Sequence, residues 1–206
     1  MKTGTIRTYL WLILFLGVLT WSGIAPKDNF TWFLEVLPAI IALCALTLTR
    51  KEFPLTPLSY LLILIHSIIL MIGGHYTYAD VPLFDDLAEL MGSTRNNYDK
   101  VGHFAQGFIP AIIAREIIIR QAVILSKHWM NFFIICFCLG FSAFYELIEW
   151  WVALASGEDA HAFLGTQGDI WDTQSDMMLA LIGAIVAIFS LSRLHDKQLS
   201  SIDGKD

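Results

Sequence analysis

The sequence predicts an all-α polytopic membrane protein, a bundle of about six transmembrane helices with both termini cytoplasmic. Three observations predict it. Hydrophobic residues make up 56 % of the 206 and charged residues only 16 %, whereas a soluble globule carries about a quarter charged. The apolar residues gather into runs close to the ~20 residues that a bilayer core requires. Basic residues fall at alternate ends of those runs, the asymmetry that orients helical membrane proteins. The length fits a single transmembrane domain, 1–206.

Six spans fit the runs: 9–24, 30–48, 58–74, 98–119, 129–153 and 174–194. The first has features of a signal peptide, with Lys2 and Arg7 ahead of it and Gly23-Ile24-Ala25 at its end. The run is long for that role and Pro26 follows the possible cut, so an uncleaved helix is expected. If the spans alternate, every Lys and Arg except Lys27, Arg95 and Lys100 falls on one side, which is therefore cytoplasmic. Trp11, Trp21, Trp32, Trp129, Trp150, Trp151 and Trp171 lie near span ends, where an interfacial belt is built. The connection 75–97 is not plain linker. Leu83, Leu87, Leu90 and Met91 have helical spacing, and a short helix along the outer interface is expected there.

Most acids fall on the opposite, outer side: Asp28, Glu35, Asp80, Asp85, Asp86, Glu89, Asp99, Glu146, Glu149, Glu158, Asp159, Asp169, Asp172 and Asp176. Acids contribute little to topology, so this enrichment is independent of the orientation. Some of these acids lie within the spans themselves. Asp99 and His103 are four apart and share a helix face, as do Glu146 and Glu149 at three, and Asp172 and Asp176 at four. Ionisable groups at the rim of a span are costly and mark functional sites by default. We take Asp99, His103, Glu146, Glu149, Asp172 and Asp176 as candidate catalytic residues of one outward-facing polar pocket. Lys100 is their charge partner, with His75 and Glu35 as outer members.

Carboxylates and imidazole at these spacings suit a divalent metal or metal-free general acid–base chemistry, and the residues do not choose between them. Each group also has a structural explanation. Asp99, Asp172 and Asp176 stand near helix starts, where negative charge is favoured, and Glu146 could pair with Lys100, Arg95 or His103. His66 reads as a hydrogen-bonded packing residue, Arg115-Glu116 as a snorkelling pair, and His161 with Glu158-Asp159 as loop surface. Cys44, Cys136 and Cys138 lie in apolar runs and imply no disulfide. HExxH, Gly-x-Ser-x-Gly, CxxC and phosphate-cradling glycine loops are missing. The net charge of −6, without a basic patch, excludes nucleic acid as a partner. The expected partners are the lipid bilayer and a lipid-linked or periplasmic ligand. Neither an oligomeric state nor a cofactor is fixed.

The segments YDKVGHFAQGF (98–108), YELIEWW (145–151) and GTQGDIWDTQSDMMLALIGA (165–184) resemble the YjdF-type family of small bacterial proteins. That resemblance implies a multi-pass inner-membrane protein and no particular activity. More loosely, the pattern is similar to the VanZ-like proteins linked to teicoplanin resistance. Those have Asp-Lys and a nearby His at a helix start, then a Glu, then Gln, Arg and Asp before a Gly-containing last span. Asp99, Lys100 and His103 match the first piece, and Glu146 or Glu149 the second. Gln167 or Gln174, Asp172 or Asp176, and Gly183 match the third. The Arg of that pattern is absent, with Asp169-Ile170-Trp171 in its region.

Overall fold

The computed structural model describes residues 3–156 and 166–202; the segment holding Glu158, Asp159 and His161 lies outside them. Among the described residues there are seven helices and no strand: α1 Thr3–Ser22, α2 Asn29–Thr49, α3 Pro57–Tyr76, α4 Pro82–Leu90, α5 Tyr98–Arg120, α6 Lys127–Ser156 and α7 Asp172–Ile202. Four of them, α2, α3, α6 and α7, are long and apolar enough to cross a membrane, and α1 has a shorter apolar stretch, Ile6–Ser22. α5 is long enough at 23 residues, but Asp99, Lys100, Arg115, Glu116 and Arg120 lower its apolar content. The 30 and 31 residues of α6 and α7 extend about 45 Å, beyond a hydrocarbon core of about 30 Å.

Helix ends are set locally. Asp28 caps α2 by accepting the backbone N–H of Thr31 at 2.6 Å, and that bond holds its carboxyl below the usual range. Thr56 caps α3, with Pro57 in the first turn where its missing N–H costs nothing. Pro82 plays the same part in α4. As expected, α4 leaves Leu83, Leu90 and Met91 uncovered by protein, as suits a helix lying in the interface.

α5 and α3 occupy the middle of the bundle. α2 and α1 pack on α3, while α6 and α7 pack on α5 and on each other. α1 is built into the bundle: Phe15 is fully buried and Trp11 donates its indole N–H to the carbonyl of Tyr60 at 2.8 Å. The closest pairing is α5 with α7. A Cβ on Gly107 would collide with the carbonyl of Ala180, and one on Gly183 with the carbonyl of Phe104. Ala111, Ala180, Ala184 and Ala187 are fully buried along the same seam. Water offers no hydrophobic drive inside a bilayer, so small residues that let backbones touch supply the association through dispersion contacts.

The cytoplasmic end holds a polar cluster that corrects the reading of Arg115-Glu116 as a snorkelling pair. Both are buried, Glu116 completely. Glu116 accepts the Thr56 N–H at 2.8 Å, the Thr56 hydroxyl at 2.8 Å and the Ser59 hydroxyl at 2.6 Å, so it closes the start of α3. His195 of α7 lies between the pair, Nε2 at 3.2 Å from Glu116 and Nδ1 at 3.1 Å from Arg115. A guanidinium only donates, so Nδ1 accepts and Nε2–H donates to Glu116. Arg115 reaches on to Asp196 at 2.5 Å. Three helices are thereby tied through one carboxylate.

Two outcomes follow. Glu116→Ala strands these buried donors and should cost on the order of 3–5 kcal/mol, read by thermal or denaturant melts in detergent, with Glu116→Gln costing less. Gly183→Val should cost at least about 1–3 kcal/mol through overpacking. Gly140→Val is the control, because a Cβ there meets nothing within 4 Å.

Candidate functional site

The outer cluster is assembled by two loops clasped together. Gln167 and Asn96 exchange hydrogen bonds: the side-chain Nε2 donates to the Asn96 carbonyl at 2.8 Å, and the Asn96 N–H donates to Oε1 at 2.9 Å. Arg95 donates to the Thr166 carbonyl at 2.8 Å. Gln167 and Gly168 take left-handed backbone conformations, φ 47° and 83°, and the chain turns directly into α7. The first residues of α5 and α7 thus start side by side, and the glycine seam below keeps them so.

Within that frame Asp99, His103 and Asp176 converge. His103 Nε2 lies 3.2 Å from Asp99 Oδ1 and 3.9 Å from Asp176 Oδ2. Its other nitrogen, Nδ1, is 3.3 Å from the Gln106 amide oxygen and 3.8 Å from Glu146 Oε1. Lys100 joins Asp172 at 2.9 Å to Asp176 at 2.8 Å and donates to the Ser175 hydroxyl at 2.5 Å. Arg95 pairs with Asp172 and stands 4.0 Å from Asp99 and 3.6 Å from Asp169. Asp176 is 2 % exposed and His103 7 %, so these charges interact at low dielectric, where pairing matters most.

Two buried acids are left incompletely bonded. Glu146 Oε1 has no hydrogen-bond partner, and Glu149, 9 % exposed, makes no hydrogen bond among the described residues. Glu35 on α2 is 5 % exposed and accepts the Tyr145 hydroxyl at 3.2 Å. Among the described residues, the acids of this group, Glu35, Asp99, Glu146, Glu149, Asp169, Asp172 and Asp176, have Arg95, Lys100 and His103 as their cations.

A cavity of ≈ 210 Å³ opens beside the cluster. Its upper wall carries Glu35, Asp99, His103, Tyr145 and Glu149, and its lower wall Ile63, Leu70, Ile109, Ile113 and Phe141. α2, α3, α5 and α6 all contribute to its lining, and the Tyr145–Glu35 bond links α6 to α2 beside it. His66 also lines it and makes no hydrogen bond among the described residues, unlike the bonded packing histidine expected from sequence. A second cavity touches the other side of Glu149 and is bounded by Glu146 and Asp172.

The structure therefore brings Asp99, His103, Glu146, Asp172 and Asp176 together, with Glu149 and Glu35 along the adjoining cavity. His75 does not join them. Its Nδ1 lies 3.0 Å from the Ser22 carbonyl and its ring packs against Trp21 and Tyr76, because α3 ends on the α1 side of the bundle. Nor do Lys100 and Arg95 neutralise Glu146; both are committed to aspartates. Arg95, from the loop ahead of α5, reaches the start of α7 beside Asp169 and Asp172. Tyr78, Tyr145 and Gln106 carried no sequence signal as site residues. Tyr78 is the clearest case: its ring fills the space beside Gly73 and Gly102, and only the fold brings it there.

Chemically, the arrangement offers three ligand atoms for a cation, from Asp99, His103 and Asp176, all within 4.8 Å of one another. It also offers carboxyl oxygens without hydrogen bonds among the described residues, on Glu146 and Glu149, at the walls of cavities, as general acid–base chemistry needs.

Comparison with known proteins gives the family. The model of the family described as "Predicted membrane protein (DUF2238)" matches residues 7–197. The protein described as "Inner membrane protein YjdF" of Escherichia coli (strain K12) is 51% identical over 182 residues, 88% of this chain and 87% of that protein. No solved structure matches. The chain belongs to the DUF2238 family of predicted membrane proteins and is a multi-pass protein of the bacterial inner membrane.

Proposed function

We propose that this protein takes a lipid or lipid-linked molecule from the periplasmic leaflet, its polar head on the acid–histidine cluster and its chain in the adjoining cleft, and acts on it or senses it there. One observation carries the reading: a single cavity whose lining changes from Glu35, Asp99, His103 and Glu149 to Ile63, Leu70, Ile113 and Phe141. An amphiphile has that division of character, and pockets with few polar groups on a mostly apolar wall are the usual small-molecule sites. α2 and α6 both line the cavity and are not a closely packed pair, which suits entry from the side, between them and out of the membrane. For a reaction, hydrolysis or transfer at the head of a lipid-linked substrate fits carboxyls and an imidazole best.

Acid oxygens without hydrogen bonds among the described residues, Glu146 Oε1 and Glu149, stand beside open cavities, which favours a binding role over one that merely fixes helix pairing. Ion-coupled transport needs a polar route between the two faces. Along α5 the buried Ile109, Ala111 and Ile112 separate Gln106 from Arg115, which favours a one-sided site.

The test is lipid analysis of the detergent-purified protein by mass spectrometry. Wild type should retain a discrete inner-membrane lipid above its abundance in the extract. Ala42→Phe, which fills the cleft from α2, should lose it while melting near wild type. A wild-type profile no different from bulk membrane, or one unchanged by a folded Ala42→Phe, would contradict the proposal.

A further inference from the structure

We infer that Asp99, His103 and Asp176 form a binding site for one divalent transition-metal ion of the zinc class. The inference is independent of the lipid reading. The three ligand atoms are spaced for it: Asp99 Oδ1 to His103 Nε2 is 3.2 Å, Nε2 to Asp176 Oδ2 is 3.9 Å, and the set closes within 4.8 Å. A tetrahedral ion with bonds of about 2.1 Å has ligand–ligand edges of about 3.4 Å, so small side-chain rotations suffice.

The groups behind the ligands are arranged as metal sites require. Each aspartate presents one oxygen to His103 while the other is directed toward a cation. Lys100 binds Asp176 Oδ1 at 2.8 Å, and Arg95 stands 4.0 Å from Asp99 Oδ2. A metal-bound imidazole normally gives its second N–H to a carboxylate or amide, which fixes its tautomer. Here Nδ1 faces Gln106 Oε1 at 3.3 Å and Glu146 Oε1 at 3.8 Å. That glutamate oxygen is the second, independent sign. Its side chain is only 9 % exposed, and the oxygen is buried with no hydrogen-bond partner, directed at the imidazole it would orient.

The donor chemistry selects the ion. Imidazole with carboxylates suits zinc and its first-row neighbours, whereas magnesium and calcium take oxygen ligands almost alone. Among the described residues three protein ligands meet there, which leaves a fourth position for water or a ligand group in the cavity that Asp99 and His103 line. A zinc ion there also offsets carboxyls that Arg95, Lys100 and His103 do not balance.

The experiment uses the full chain purified in detergent, stripped with a chelator, then titrated with Zn²⁺ by calorimetry and with Co²⁺ by visible absorption. Expected are about one Zn²⁺ per chain, Co²⁺ ligand-field bands displaced by Zn²⁺, and no comparable binding of Mg²⁺. His103→Ala and Asp176→Asn should abolish binding, and Glu146→Gln should weaken it about 10- to 100-fold. Asp80→Asn, at the Lys27 and Thr77 contact away from the cluster, should bind as wild type does. The Co²⁺ spectrum of wild type reports the coordination number and geometry and needs no variant to fold. Absence of stoichiometric Zn²⁺ binding by folded wild type, or binding unchanged in folded His103→Ala, would overturn the inference. Loss of the retained lipid with the metal site intact would refute only the lipid reading.

Discussion

The backbone contact between α5 and α7 is the constraint on which the rest depends. Gly107 lies against Ala180 and Gly183 against Phe104, with no room for a side chain at either position. That contact fixes which residues above and below it meet. Toward the outside it sets Asp99 and His103 against Asp172 and Asp176, and toward the cytoplasm it sets Arg115 and Glu116 against His195 and Asp196. In a membrane such small-residue seams replace the hydrophobic drive of soluble cores. A displacement of about one turn along the seam would carry each charged pair some ~5 Å apart and leave the charges unpaired in a medium that tolerates this poorly.

The two polar clusters differ in how completely they are satisfied. At the cytoplasmic end Glu116 is saturated by Thr56, Ser59, Arg120 and His195. Its geometry is that of a clasp. At the outer end Lys100 and Arg95 are committed to Asp172 and Asp176, whereas Glu146 Oε1 and Glu149 are without hydrogen bonds among the described residues and lie next to open space. Buried acid oxygens without hydrogen bonds beside a cavity are what the proposed site rests on. The apolar stretch of Ile109, Ala111 and Ile112 keeps the two clusters separate.

Much of this was legible in the sequence because helical periodicity translates directly into shared faces. The pairs Asp99/His103, Glu146/Glu149 and Asp172/Asp176 could be placed at one level from spacing and alternation alone. The α4 helix was readable from the spacing of its leucines. The exceptions have physical reasons. His75 is at the right depth but on the wrong side of the bundle, and depth is all that spacing reports. Arg115-Glu116 looked like surface because its partners, Thr56, Ser59 and His195, come from two other helices. Arg95 sits in a loop, where no periodicity indicates direction. Tyr78 depends on vacancies left by Gly73 and Gly102, which only the folded chain reveals.

The glycine seam holds α5 and α7 in register so that the outer charges meet. The decisive experiment replaces Lys100 and Asp176 with cysteine in a chain whose Cys44, Cys136 and Cys138 are serine, and treats membranes with a short bifunctional thiol reagent. An intramolecular bridge detected by mass is expected when the seam is native, and its loss when Gly183→Val is added. Failure of the two cysteines to bridge across the native seam would contradict that register. So would equal bridging when the second cysteine replaces Lys127, at the cytoplasmic end of α6, in place of Asp176.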